Sequence, residues 1–537
     1  MPVKRHVVAL VAVVSLVVAV AAGACGQSSK DSTFQNTGPV GNADATASGS
    51  GGSGDDGSAF NPGGSSGFLT FDGSNSTPAC EGGTGWHCKV DNTCSTPTTL
   101  SGKVFDPAGK NPLYNVVVFI PNDVATLPPI TQGTHSCNTC DVSIGGYVAA
   151  TTTDYTGAFT LTGVPHAKGV PVTVQTGKWR RTTLVDINND CGTNTVSMAP
   201  GANPLLRLPG KKSDGDMPEI ALLTGGCDDM ACFLMNIGID KTEFSGPTAG
   251  GRVHVYQGNS SPLGLLTVPG PSLTPANGTA GNCTNTSCPL WASKAGFEAY
   301  DLVMLSCECG EMTGISQSPG GYTNLRDWLD EGGKVFASHY HYTWFENNPS
   351  ADFKAVANWG NTGNNDIAST NGQTYDLDTS FPKAITFGKW LGVVGALNSA
   401  GSGPPSYTPP PDIKLGYVAD SVRTVNGATN RWIYDPAVGA GEGGTANDVK
   451  YLSFGTPIGG APAPDGSPET KQYCGKAVYT DLHTGGSLTA QASDVPGKCT
   501  AGDLSAQQKA LEFLFFDLAA CVTDDKQEPP PPPPPPM

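Results

Sequence analysis

The sequence predicts a multidomain chain in which a β-sandwich precedes a doubly wound α/β domain. Three observations carry this. At 537 residues the chain is too long for one hydrophobic core. From 97 to 210 short apolar runs are punctuated by Gly and Pro, the signature of an all-β region. From 216 to 523 strand-like and helix-like runs alternate, which implies a mostly parallel sheet. The composition agrees: only 14% of residues are charged, with 70 Gly and 44 Pro. A net charge of −17 without a basic stripe argues against a nucleic-acid partner and against charge-driven binding to an anionic membrane.

In chain order, residues 1–24 read as a signal peptide. Lys4 and Arg5 precede an apolar run from Val7 to Val20, and Ala22-Gly23-Ala24 is a small-residue cleavage site. Cys25 follows at once. This resembles the lipobox of bacterial lipoproteins, which implies a lipidated Cys25 as mature N-terminus, although Ala22 stands where Leu is usual. Gly26-Gln27 lacks the Asp that would favour inner-membrane retention, so the resemblance implies the outer membrane or cell surface. Simple cleavage and release to the periplasm or outside is the alternative. Residues 25–79 are dominated by Gly, Ser, Asn, Asp and Thr with few large apolar groups and read as a flexible tether reaching about 40 Å at about 5–6 Å × √n. Residues 80–96 carry Cys80, Cys88 and Cys94 as a stapled lead-in.

The chain has 16 cysteines. In an oxidising compartment disulfides are the default, so the close pairs Cys137/Cys140, Cys227/Cys232 and Cys283/Cys288 are disulfide candidates. Cys307 and Cys309 are too close in sequence for an unstrained bond to each other.

Within 97–210, Ser101-Gly102-Lys103-Val104-Phe105-Asp106, Gly109, Pro112-Leu113 and Val116-Val117-Val118 are followed by Thr151 to Leu161 and Val164-Pro165. This resembles the carboxypeptidase regulatory-like, or transthyretin-like, domain. Asp154 and Gly157 suit its tight turn. An insertion carrying Cys137-Asn138-Thr139-Cys140 departs from the pattern. Related folds are grouped with starch-binding-like sandwiches, so the resemblance implies carbohydrate binding, yet Trp179 offers no sugar-stacking trio. A spacer or adhesion module is the plainer expectation.

From 216, the strands are Glu219–Leu223, Arg252–Tyr256, Tyr300–Leu305 and Lys334–Ala337, then Trp432–Tyr434, Val449–Phe454 and Lys476–Thr480. Asp228 or Asp229 caps a helix through Phe233, Leu234 and Ile237. A helix from Tyr322 to Asp330 stops at Gly332-Gly333. Ser505 to Gln508 is a capping box, and Leu511, Leu514, Phe515 and Leu518 form the stripe of a final helix. Residues 524–537 read as a proline-rich, solvated tail. The strand at Ile220, Tyr300–Leu305, Leu325 to His339 and Val478 to His483 resemble the class I glutamine amidotransferase-like superfamily, in its trehalose-utilisation-type branch. That resemblance implies a flavodoxin-like sheet. It also implies a catalytic set of Cys307 as nucleophile, His483 as base and Asp481 nearby. The residues depart from it: Leu305 and Cys309 flank Cys307 where small residues belong, and Gly485 stands where the family has Glu.

Ligands in such sheets sit beyond the strand carboxyl ends. There the sequence places His339, Tyr340, His341 and Trp344, with Asp228, Glu308 and His483. His339 and His341, if still in strand register, share a face. With His483 they are candidate ligands for a divalent metal, the one cofactor the sequence suggests. Tyr340, Tyr342, Trp344 and Phe345 are either a ring-stacking platform or an aromatic core seam. The leading functional expectation is a surface-anchored binding or adhesion protein for carbohydrate or cell-envelope components, its amidotransferase-like domain non-catalytic. The alternative is a hydrolase with a His/Asp, metal-dependent site at the strand ends.

Overall fold

Two small sheets and one large one organise the chain. The computed structural model describes residues 71–72, 85–133, 137, 144–258, 277–317, 319–360, 373–416, 418–435, 447–462, 471–484 and 502–527. The leader, Cys25, Cys80, Cys140, the proline run and the tether apart from 71–72 lie outside these. Residues 62–537 form one compact unit. It is a mixed α/β structure with many strands and few helices.

In the first small sheet, β1 (Thr99–Phe105) pairs with β4 (Ala158–Thr162) antiparallel, and with β7 (Thr193–Thr195) and β8 (Leu206–Arg207) parallel. The second runs in the order β3 (Tyr147–Thr152), β2 (Val117–Pro121), β5 (Val170–Thr176), β6 (Trp179–Val185), all antiparallel. β4 alternates, burying Phe159 and Leu161 and leaving Thr160 and Thr162 outside, as a strand with one wet face must. β5 is buried throughout. The far face of its sheet is covered by Leu127 and Ile130 of the insertion, which pack on Val117, Phe119 and Tyr147. The expected turn forms: Asp154 Oδ1 accepts from Thr156 N (2.7 Å) and Ala158 N (3.0 Å), and Gly157 takes φ +73°.

The large sheet holds β9 (Ile220–Leu223), β10 (Phe244–Ser245), β11 (Val253–Gln257), β12 (Leu302–Leu305), β13 (Lys334–Ser338), β14 (Gln373–Leu377), β15 (Asp412–Leu415), β16 (Thr429–Tyr434), β17 (Val449–Thr456) and β18 (Gly475–Thr480). Their order is β10-β11-β9-β12-β13-β18-β17-β16-β14-β15. From β10 to β18 neighbours are parallel. From β18 to β15 they are antiparallel. The expectation of a mostly parallel sheet therefore fails for its second half. No helix lies between β16 and β17 or between β17 and β18 among the described residues, and without a crossover successive strands pair antiparallel.

Alternate residues feed two cores. Ile220, Leu222, Met304, Phe336 and Val478 face one side, with α1 (Met230–Asn236) and α4 (Ala506–Ala519). Leu223, Val303, Val335, Ala337 and Ala477 face the other, with α2 (Gly321–Asp330). Gly332 takes φ +119°, and a Cβ on Gly333 would lie 2.2 Å from the Trp328 indole, so both glycines after α2 are required. The capping box at Ser505 and Gln508 is present.

The first core does not stop at the domain boundary the sequence suggests. It runs from Leu100, Val118 and Val172 through Trp179 to Phe515 and Phe516 of α4. Trp179 is fully buried, its ring edge-on to Phe516 at 6.1 Å, so it is closed to a sugar. Tyr114 stacks on Phe513 at 6.0 Å, and Trp390, in α3 (Pro382–Val393), donates to Pro112 O at 2.6 Å. Within the expected C-terminal tail, Lys526 and Gln527 are exposed but Asp525 is not. Asp525 is buried, accepting from Lys383 Nζ (2.6 Å), Lys476 Nζ (2.7 Å) and Ser453 Oγ (2.8 Å).

Two disulfide pairings differ from expectation. Cys137 bonds Cys474. Gly133 of the insertion sits at the amino ends of the strands, where its N donates to Asp301 Oδ1 at 2.9 Å, and Cys474 immediately precedes β18. Cys227 bonds Cys309 rather than Cys232, because parallel β9 and β12 bring their following loops together. Cys283–Cys288 pairs as expected, and Cys94 reaches Cys191.

Candidate functional site

Read from β11, the parallel strands lie in the order β11-β9-β12-β13-β18, which in chain sequence is 2-1-3-4-5. The strand order reverses between the parallel strands β9 and β12, and the loops after them flank the crevice where such sheets hold ligands. Here the crevice is closed. Cys227 N donates to Cys307 O at 3.0 Å, a Cβ on Gly225 would lie 2.1 Å from that same oxygen, and the Cys227–Cys309 disulfide spans the two loops.

Cys307 lies beneath this seal, fully buried and the one free cysteine among the described residues. Burial pushes its thiol well above the usual range, and the Asp228 and Glu308 charges push the same way. Its Sγ lies 3.4 Å from His339 Nδ1, within hydrogen-bond reach. Burial, with His483 and His341 nearby, holds His339 well below the usual imidazole range, so it is neutral. Its backbone takes φ +43°, a left-handed conformation costing on the order of 1 kcal/mol for a residue with a Cβ. The His339 carbonyl lies 2.9 Å from Tyr479 OH, whose one proton also has Asp481 Oδ1 at 2.6 Å.

His483 follows β18. Its ring stands edge-on to His339 with centroids 5.0 Å apart. His483 Nδ1 donates to Asp228 Oδ1 at 3.2 Å. Burial opposes charge on this imidazole, but Asp228 outweighs it and raises its pKa above the ordinary value. Asp228 is itself pinned. It accepts from Thr484 N (2.7 Å), Thr484 Oγ1 (3.3 Å), Cys307 N (3.4 Å) and Ser338 Oγ. Asp229, not Asp228, caps α1, accepting from Cys232 N at 3.0 Å. One atom from each of Cys307, His339 and His483 falls in a group within 4.8 Å. The Nε2 atoms of both histidines are buried without a hydrogen-bond partner.

Other sequence candidates go elsewhere. Asp481 does not orient His483. It accepts from Tyr479 OH (2.6 Å) and Ser421 N (2.8 Å), beside Lys450. The acid that serves His483 is Asp228, 255 residues away. His341 does not share a face with His339, because β13 ends at Ser338 and residues His339–Tyr342 form a helical turn. Both its nitrogens are occupied: Nε2 donates to Ser306 O at 2.8 Å and Nδ1 accepts from Trp344 Nε1 at 3.1 Å. Burial holds its pKa down at about 4. His341 therefore leaves the metal set, and Cys307 enters it. Tyr340 is buried with its ring 3.9 Å from that of His339. Trp344 is buried among Trp291, Phe297 and Tyr322. The aromatic set is a core seam, not a ring platform. Glu308 Oε1 lies against Gly258, away from the cluster.

No family model matches the chain, and no curated protein matches it. Among solved structures, a ThuA-like protein from Bacteroides uniformis is similar at 8% identity and a TM-score of 0.28, over 55% of this chain and 89% of that one. The cytoplasmic protein STM3548 from Salmonella typhimurium is similar at 10% identity and a TM-score of 0.23, over 43% and 76%. These likenesses bear on fold alone.

Proposed function

We propose that the chain is an exported, lipid-anchored surface protein with a binding role, and that its α/β region does not carry out amidotransfer. In this reading the two small sheets form a β-sandwich and the strand order 2-1-3-4-5 is that of a flavodoxin-like domain. The carrying observation is the state of Cys307. A nucleophile must meet its substrate as a thiolate. Cys307 is instead a buried thiol under a disulfide, and the carboxylate expected beside His483 serves Tyr479 and Ser421. The surface partner is carbohydrate or another envelope component. Its site lies away from Tyr340, Trp344 and Trp179, which are buried.

A glutaminase assay and iodoacetamide labelling of the folded chain test the first half. Neither turnover nor labelling of Cys307 is expected, and stoichiometric labelling without denaturant sinks the reading. A glycan array on the folded chain tests the second half, with selective retention expected. Loss of palmitate labelling in Cys25→Ser tests the anchor.

A further inference from the structure

Two histidines at the strand ends each keep a buried ring nitrogen with no partner. Burying a polar nitrogen without a hydrogen bond costs on the order of 1–3 kcal/mol. Cys307, His339 and His483 each offer a ligand atom within 4.8 Å of the others, His339 turning Nδ1 to the free thiol, and a metal ion held by the three would give His483 Nε2 the partner it lacks. We propose that Cys307, His339 and His483 bind one thiophilic divalent transition-metal ion of the zinc class, with Asp228 as the group that orients His483.

The geometry fits that ion. Zinc bonds to sulfur at about 2.3 Å and to imidazole at about 2.0–2.1 Å, so two donors at a tetrahedral site stand about 3.5 Å apart. Cys307 Sγ and His339 Nδ1 stand at 3.4 Å. His483 presents Nε2 while its Nδ1 donates to Asp228. A carboxylate on the distal nitrogen is how metal-bound imidazoles are commonly fixed and made more basic. Asp228 is locked in turn by Thr484 and Ser338, so the orienting group is rigid before metal arrives. A thiolate with two imidazoles selects zinc and its neighbours over calcium or magnesium, which prefer oxygen. Loading releases the Cys307 thiol proton to solvent and forms a metal–sulfur bond without a redox change. Three protein ligands leave a fourth position for a water or an external donor. The other group of metal-ligating residue types, Asp91, Cys94, Asp190 and Cys191, is different, because its two sulfurs are bonded to each other.

This inference is independent of the surface-binding proposal and is tested apart from it. The folded full chain is stripped with a chelator and titrated with Co(II). One equivalent should give the near-ultraviolet thiolate charge-transfer band and the visible bands of tetrahedral cobalt, and zinc should bleach both. Cys307→Ser should lose the charge-transfer band, and His483→Gln should weaken cobalt binding at least tenfold. Asp228→Asn should weaken it by about 10–100-fold, as outer-shell changes do. His341→Gln should leave the spectrum unchanged. Wild-type chain that is folded by circular dichroism yet shows no thiolate–cobalt band overturns the proposal without recourse to any variant. So does a band that survives in Cys307→Ser. A glycan-array result in either direction leaves this outcome untouched.

Discussion

Two buried polar clusters lie in the same α/β region and differ in one respect. Around Asp525, Lys383 and Lys476 donate to Asp525 Oδ1 and to Asp517, while Ser453 donates to Asp525 Oδ2. Asp517 and Asp525 outweigh burial and raise the Lys383 pKa above its ordinary value, while those lysines hold Asp525 well below the carboxylate range. At the strand ends, Cys307, His339 and His483 are equally buried but leave two nitrogens unmatched. Burial alone therefore does not mark a functional site. The first cluster is complete within the chain and ties the C-terminal segment to β18. The second is complete only with something added.

That contrast can be broken at four points. Asp525→Ala should cost about 3–5 kcal/mol, because it leaves two buried ammonium groups sharing the single carboxylate of Asp517. A urea midpoint close to wild type would show the clamp to be ornamental. Next, removing the seal with Cys227→Ser and Cys309→Ser together should cost about 2–4 kcal/mol and expose Cys307 to iodoacetamide. A thiol that stays unreactive would show that packing, not the disulfide, closes the crevice.

Third is a carboxyl pair between the small sheets and α4. Burial raises the Asp106 pKa to about 6, and burial together with Asp106 raises Glu512 well above the ordinary value, so the pair shares a proton. Asn111 Nδ2 donates to Glu512 Oε2 at 2.6 Å. The folded pair holds its proton more tightly than the unfolded chain. Stability is then fully present at acid pH and is lost as pH rises through about 6, where Asp106 titrates, on the order of 2 kcal/mol, with a further loss where Glu512 titrates. Glu512→Gln, which removes the Glu512 titration and leaves that of Asp106, should lessen but not abolish that dependence in urea titrations at pH 5 and 7. Last, Cys307→Ser in metal-free protein should cost about 1 kcal/mol or less, since a hydroxyl can still hydrogen-bond with His339. A large loss in the thermal midpoint would place Cys307 with the clamp rather than with the site.

Local signals were legible in the sequence. Gly332-Gly333 marked a helix stop and the strand that follows, and Ser505 with Gln508 marked the start of α4. Cys307 and His483 were placed at the ends of their strands because parallel strands end at one edge of the sheet. Relations between distant residues were not legible. That Asp228 serves His483, and Cys309 serves Cys227, depends on which strands are neighbours. That His339 and His341 fall on different faces was not legible, because nothing local announces that the chain passes from β13 straight into a helical turn over His339–Tyr342. The antiparallel half of the sheet was missed because its strands look the same in either direction.

The last helix has a consequence for the order in which the molecule can be made. Phe513 and Phe516 of α4 cover Tyr114 and Trp179, residues emerging from the ribosome hundreds of codons earlier. Until α4 exists, the N-terminal sheets present an uncovered apolar flank, and the contacts that close it are among the most non-local in the chain. The first-made region is therefore finished last.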